Sequence, residues 1–364
     1  MDHFLARREH LTRWLIEQDL DAVLVSNPVN VSYLTNFSGE ASYLIVSRDR
    51  ALLVSDGRFV VQLQEECPEL AVHIRPPAQR ITPAVAGVLQ QLGLRRVGCD
   101  ASHLTVAEFE QFRELTPTIT WKPGVGAVEQ FRVVKDAVEI AALRSAIGMA
   151  ERALGDFRAS LGPEDTEKIL SDRMEMLLRS EGASRSSFPT IAAVGTRAAL
   201  PHCPPSAAVV AGAELLLVDW GARERFYCSD LTRVLALGSV TPKFAEVYRA
   251  VLRAQQAAIA LIRPGVTGQA VDAAARQVLE AAGFGAAFNH GLGHGIGMEV
   301  HEGPALRPGS DVVLRPGMVV TVEPGVYLPA WGGVRIEDDV LVTPDGHEVL
   351  TQAPRDLEQA VVEW

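Results

Sequence analysis

Leu5, Leu11, Leu15 and Ile16 recur at near-helical spacing and predict an amphipathic helix over residues 3–18. The run Asp21-Ala-Val-Leu-Val-Ser26 then predicts a short buried strand, stopped by Asn27-Pro28. Two apolar runs, YLIVS (43–47) and ALLVS (51–55), flank Arg48-Asp49-Arg50 and predict a hairpin. Helical patterning over 80–93, a strand at 97–100 and a helix at 105–115 complete an alternation that predicts an α/β domain. Turn formers in Trp121-Lys122-Pro123-Gly124-Val125-Gly126 break the alternation. The expected domains are therefore 1–127 and 128–364.

Beyond that boundary the pattern changes. Helices are predicted at about 136–159, 164–181, 242–262 and 268–282, interleaved with strand pairs at 214–237 and 318–342. Consecutive strands joined by turns imply antiparallel pairing with helices over one face, an α+β domain.

Composition narrows the function classes. With 48 % apolar residues the chain can bury a sizeable core, which excludes disorder as a description of the whole. Its 34 Lys and Arg against 45 Asp and Glu leave a net charge of −11, which argues against a nucleic-acid or anionic-membrane partner. The N-terminus mixes charges among its apolar residues, unlike a signal peptide, and no run approaches a membrane span, so a soluble cytoplasmic chain is expected. Cys67, Cys99, Cys203 and Cys228 lie far apart and form neither a disulfide framework nor a zinc-finger pattern.

The informative feature is acids inside apolar strands. Glu214-Leu-Leu-Leu-Val-Asp219 is followed by a return strand that begins near Asp230. A hairpin folded about Glu224 and Arg225 would set Asp219 opposite Asp230, with Cβ atoms roughly 4.5–5.5 Å apart. In the second pair the midpoint of Glu323 and Glu337 is Ala330, so these two can also face each other. Carboxylates gathered in this way repel and require cations. Three histidines, His290, His294 and His301, lie on one Gly-rich segment, where missing side chains let the backbone approach a ligand. Carboxylates with an imidazole suit Mn²⁺, Co²⁺, Fe²⁺ or Zn²⁺, and two such ions roughly 3.5–4 Å apart form a hydrolytic site.

Six segments in order carry a family resemblance: Leu200-Pro201-His202, VDWGA (218–222), YCSDLTR (227–233), GHGIGMEVHE (293–302), TVEPGVY (321–327) and GGVRIED (332–338). They resemble the creatinase/aminopeptidase metallopeptidases of pita-bread fold, in the branch that cleaves Xaa-Pro bonds. NFSG (36–39) and SDGRF (55–59) resemble, more loosely, the smaller N-terminal domain of that branch, with Phe59 where many relatives have Tyr. The resemblance implies an α+β pita-bread catalytic domain behind a smaller α/β creatinase-like domain. It implies five metal ligands, Asp219, Asp230, His294, Glu323 and Glu337, holding two divalent ions, manganese foremost and cobalt, zinc or iron as alternatives.

Glu323 is then the expected proton shuttle, with His202 and His301 at the reacting carbonyl and His290, Arg335 and Tyr327 at the substrate. The implied partner is a peptide with proline second, and a homodimer is expected. NFSG and DGR incline this reading toward an aminopeptidase P, with an Xaa-Pro dipeptidase as the alternative. A metal-free amidinohydrolase or a non-catalytic binding protein fits less well, because every ligand position is filled.

Overall fold

A computed structural model describes residues 3–362. The chain divides into two compact units, Met1–Arg132 and Val133–Trp364.

In the first unit six strands form one sheet: β1 (Ala22–Val25), β2 (Tyr43–Ser47), β3 (Ala51–Asp56), β4 (Ala71–Arg75), β5 (Arg96–Asp100) and β6 (Thr120–Gly124). Their order is β4-β3-β2-β1-β5-β6, antiparallel from β3 to β1 and parallel at both flanks. The turn formers near Pro123 do not end the sheet. Thr120–Gly124 pairs with β5 as an edge strand, where proline's missing N–H can face away from the ladder.

Five helices accompany these strands: α1 (His3–Glu17), α2 (Pro28–Thr35), α3 (Val60–Glu66), α4 (Ile81–Gln91) and α5 (Val106–Leu115). Asn27-Pro28 stops β1 and also starts α2: the Asn27 side chain accepts from Val29 N at 2.9 Å, and proline occupies the first turn, where no N–H is needed.

The NFSG and SDGRF segments have structural work here. Asn36 ends α2 in the left-handed region at φ 74°, and the Phe37 and Phe59 rings meet edge to face at 5.6 Å. A Cβ at Gly39 would come 2.3 Å from the Phe37 ring. Asp56 pairs with Arg58 at 2.9 Å and Arg75 at 2.7 Å.

A short helix, α6 (Glu129–Arg132), ends the first unit. The second begins with α7 (Ala137–Ala159), whose Asp136 cap and Glu139 form a capping box, followed by α8 (Glu167–Ser180). The next strands are β7 (Arg185–Ser186), β8 (Ile191–Val194), β9 (Leu215–Trp220), β10 (Ala222–Glu224), β11 (Tyr227–Cys228) and β12 (Leu231–Leu237). Helices α9 (Pro242–Leu261) and α10 (Gly268–Ala281) pack on each other. Strands β13 (Gly293–Gly295), β14 (Glu302–Leu306), β15 (Val319–Val322), β16 (Gly325–Leu328), β17 (Gly332–Arg335), β18 (Asp338–Val342), β19 (His347–Val349) and β20 (Val361–Val362) follow. The larger sheets run β20-β12-β9-β8 and β14-β13-β15-β18-β19.

Alternation along β9 sends Leu215 and Leu217 into the core beneath α9 and α10, and Leu216, Val218 and Trp220 into the core beside α7 and α8. With both faces buried, the Asp219 side chain near the end of that strand is largely buried and meets solvent through the cavity described below.

Register decides which acids meet. In the β9–β12 pair Asp219 lies opposite Thr232, and Trp220 opposite Leu231. Asp219 and Asp230 are therefore diagonal neighbours on one face, not opposed. The turn centres on Arg225 and Phe226, one residue later than the midpoint of the two acids; Arg225 takes the left-handed φ of 49°. In the second ribbon Val322 opposes Asp338 and Gly325 opposes Arg335, so Glu323 and Glu337 occupy matched positions between the two paired segments.

Candidate metal centre

Both ribbons deliver their acids to one cavity of about 600 Å³, whose wall includes Asp219, Asp230, His294, Glu323, Arg335 and Glu337. Asp230, His294 and Glu337 each bring a possible ligand atom within 4.8 Å of one another, a group that could hold a metal ion. His294 Nε2 lies 3.3 Å from Glu323 Oε1 and 3.7 Å from Asp230 Oδ2. The Nδ1 of His294, 3.1 Å from the Gly295 carbonyl, carries a proton donated to it. That fixes the tautomer and aims Nε2 at the acids.

Arg335 is the cation built into the cluster. Buried, it donates through Nη2 to Asp219 Oδ2 at 2.5 Å, through Nε to Thr232 Oγ1 at 2.9 Å and through Nη1 to the Tyr327 hydroxyl at 2.9 Å. The Thr232 hydroxyl in turn donates a hydrogen bond to Glu337 Oε2 at 2.6 Å.

One guanidinium does not balance four carboxylates. Burial, and then the neighbouring carboxylates, push Asp230 and Glu337 well above the usual carboxylate range. Burial also raises Asp219, with Arg335 opposing. Glu323 goes the other way: burial pushes it up, but the hydrogen bond and charge of His294, together with the charges of Arg335 and His290, leave it lowered. Like charges 4 Å apart cost about 4 kcal/mol at an effective dielectric near 20. Asp219 Oδ1 is buried with no hydrogen-bond partner among the described residues, a lone acceptor of the kind a cation satisfies. Carboxylate oxygens plus one imidazole are also the donor chemistry for hard and borderline divalent ions. The residues fit a metal.

The other expected residues divide. His202, His290 and His301 line the same cavity, and the His301 ring meets that of His294 edge to face at 4.3 Å. His290 is committed to the protein through both ring nitrogens: Nδ1 donates to the Gly291 carbonyl at 2.7 Å, and Nε2 accepts from the Tyr327 hydroxyl at 3.0 Å. Burial lowers its pKa and keeps it neutral. Tyr327, expected at the substrate, is not on the cavity wall. It lies buried behind the wall, its hydroxyl joining Arg335 to His290.

Two glycines of the histidine segment, Gly293 and Gly295, are required by neighbouring backbone. A Cβ at Gly293 would meet the Thr321 carbonyl at 2.1 Å, and one at Gly295 the Gly303 carbonyl at 1.9 Å. They let β13 sit tightly between its partners.

Three supporting residues escape the sequence reading. Thr232 links Arg335 to Glu337. Asp339 accepts from Asp230 N at 3.3 Å, and burial pushes its carboxyl up to about 8. Arg233, deeply buried, donates to Asp338 Oδ1 at 2.7 Å and to the Glu337 carbonyl at 2.6 Å, fixing the segment that carries the candidate ligand Glu337. The signal for the two acids is visible: Glu337-Asp338-Asp339 is a run of three acids leading into an apolar strand.

Residues 141–344 match the model of metallopeptidase family M24, and residues 7–134 match the creatinase/prolidase N-terminal domain. An Xaa-Pro dipeptidase of Pyrococcus furiosus is 33 % identical over 355 residues, 96 % of this chain and 99 % of that protein. The solved structure of an Xaa-Pro dipeptidase from Bacillus anthracis superposes with a TM-score of 0.93 at 37 % identity, covering 97 % of this chain and 99 % of the other. An X-Pro aminopeptidase from Thermotoga maritima gives a TM-score of 0.88 at 33 % identity, over 95 % and 98 %. Among the described residues no helix is long and apolar enough to cross a membrane.

Proposed function

The chain belongs to metallopeptidase family M24, and from that premise we propose that it is an Xaa-Pro dipeptidase. The observation that carries the chemistry is the convergence of Asp219, Asp230, His294, Glu323 and Glu337 in one cavity. The full-length likeness to Xaa-Pro dipeptidases supports the substrate class.

This reverses the preference for an aminopeptidase P. That preference leaned on the NFSG and SDGRF segments, whose side chains cap a helix, pack two rings and close an ion pair inside the first unit. Such roles carry no information about peptide length. The aminopeptidase stays as the second reading because of the Thermotoga structure.

In this reading the five residues hold two divalent ions, manganese foremost. When bound, such ions lower the pKa of a water and polarise a carbonyl. The protein supplies the rest. Arg335 and Thr232 hold Asp219 and Glu337 in place. Glu323 takes the proton of the attacking water and returns it to the proline nitrogen as the carbon–nitrogen bond breaks and the carbon–oxygen bond forms. His301 and His202 stand at the cavity wall, where a donor can stabilise the tetrahedral oxyanion. Phe188, Ile191, Pro204 and Pro205 offer an apolar wall for the proline ring.

The test is hydrolysis of an Xaa-Pro dipeptide beside an Xaa-Pro-Xaa tripeptide by manganese-loaded enzyme. Cleavage of the dipeptide is expected. Cleavage of the tripeptide alone would make the enzyme an aminopeptidase.

A further inference from the structure

Glu167 is fully buried in the first turn of α8, yet the catalytic chemistry leaves it unused. Its carboxylate gathers four donors from the segment that runs from β8 to Ser206. Oε1 accepts from Val194 N at 2.8 Å, and Oε2 accepts from Arg197 Nε at 2.7 Å, Ser206 N at 2.9 Å and Ser206 Oγ at 2.6 Å. Arg197 extends the clamp inward, donating through Nη2 to the Pro204 carbonyl at 2.7 Å and to Cys203 Sγ at 3.1 Å. The backbone of α8 adds two bonds, Glu167 N to Ala208 O and Lys168 N to Ser206 O, both 3.0 Å.

Both ends of the 194–206 segment are thus tied to one side chain. Between them lie Pro201, His202, Cys203, Pro204 and Pro205, all of which line the cavity that holds the acid cluster. We propose that Glu167, with Arg197, is the positioning residue for this wall: it holds His202 and the apolar prolines at the distance the substrate requires. The assignment rests on the reading of the cavity as a peptide site.

The chemistry demands an acceptor on both oxygens. All four partners are donors, so glutamine in either orientation would turn an NH₂ group toward an N–H. The candidate metal ligands all lie outside residues 194–206, with β8 pairing beside Asp219 and Arg335 Nη1 reaching the Pro201 carbonyl at 3.4 Å, so the clamp acts first on the substrate wall.

The experiment is a double-mutant cycle of Glu167→Gln and His202→Ala in manganese-loaded full-length enzyme, with an Xaa-Pro dipeptide. Glu167→Gln is expected to raise KM about tenfold or more, as loss of substrate positioning does, with manganese affinity by calorimetry unchanged. In the His202→Ala background its effect is expected to be smaller than in the parent, because His202 is one part of the wall that Glu167 holds. Additive losses, or parental kinetics in Glu167→Gln, overturn the proposal. Arg197→Lys gives the same readouts if Glu167→Gln does not fold. Should the parent cleave no Xaa-Pro peptide, the substrate reading fails separately, and amide exchange over 197–206 decides the clamp. Faster exchange in Glu167→Gln supports it and unchanged exchange overturns it.

Discussion

Replacing Thr232 by Val removes one hydroxyl and almost no volume, which isolates what that hydroxyl does. It accepts from Arg335 Nε at 2.9 Å and donates to Glu337 Oε2 at 2.6 Å, so valine leaves a buried guanidinium N–H without its partner and the proposed ligand carboxylate without its restraint. A hydrogen bond to a charged group is worth about 1.5–3 kcal/mol. If that restraint is lost to metal binding, it corresponds to about 10–100-fold in affinity, at 1.4 kcal/mol per tenfold. Removing an outer-shell partner of a metal ligand costs the same range, about 10–100-fold. The unpaired Arg335 donor adds about 1–3 kcal/mol of lost stability in the metal-free protein. Calorimetric titration with Mn²⁺ and thermal unfolding in chelator measure the two effects separately. Thr232→Ser keeps the hydroxyl and is expected to retain metal affinity. If Thr232→Val loses stability but binds Mn²⁺ as tightly as the parent, Thr232 supports the fold alone and its role at the metal centre is refuted.

Tyr327→Phe cuts the link between Arg335 and His290, and kcat/KM is expected to fall about two- to tenfold for a lost bond worth about 0.5–1.5 kcal/mol, with Mn²⁺ affinity by calorimetry unchanged. Gly293→Ala drives a Cβ against the Thr321 carbonyl, so a loss of about 1–3 kcal/mol or more is expected in urea unfolding, together with weakened metal binding. The hydrogen bond and charge of Arg58 hold Asp56 down at about 2, from an ordinary 3.8. A lowered carboxylate contributes stability above its unfolded pKa and loses it as pH falls through the folded one. Asp56→Asn should therefore be less stable than the parent near neutrality, and the difference should vanish as pH falls from 3.8 to about 2; a constant difference across that window would remove the ion pair as the cause.

What the sequence discloses follows from which interactions are local. Helices such as Ala137–Ala159 and Pro242–Leu261 are legible because apolar spacing and an N-cap both mark them. The second ribbon's register is legible because its midpoint, Ala330, lies in an obvious loop with glycines beside it. The first ribbon's is not, because its turn uses Arg225 in the left-handed region, where a glycine or asparagine would have marked the spot. The acids and His294 stand out as polar residues in apolar surroundings. Thr232 does not, since threonine is an ordinary strand residue and only tertiary contacts with Arg335 and Glu337 reveal it. Glu167 is hidden for a similar reason: an acid in the first turn of a helix normally signals the helix dipole, and its real partners lie up to 39 residues away.

The matched positions of Glu323 and Glu337 have a temporal corollary for a chain emerging from the ribosome. Asp219 and Asp230 leave first and can form their own ribbon, but two crowded acids make a poor trap for an ion. Contacts between residues this far apart in the chain form late, because loop closure must precede them. Under the proposed ligand set, ion capture would be deferred until the last ribbon has docked, so an incomplete polypeptide would carry the acids without the trap. Pulse-labelled nascent chains halted before Glu337 should remain as sensitive to protease with Mn²⁺ as without it.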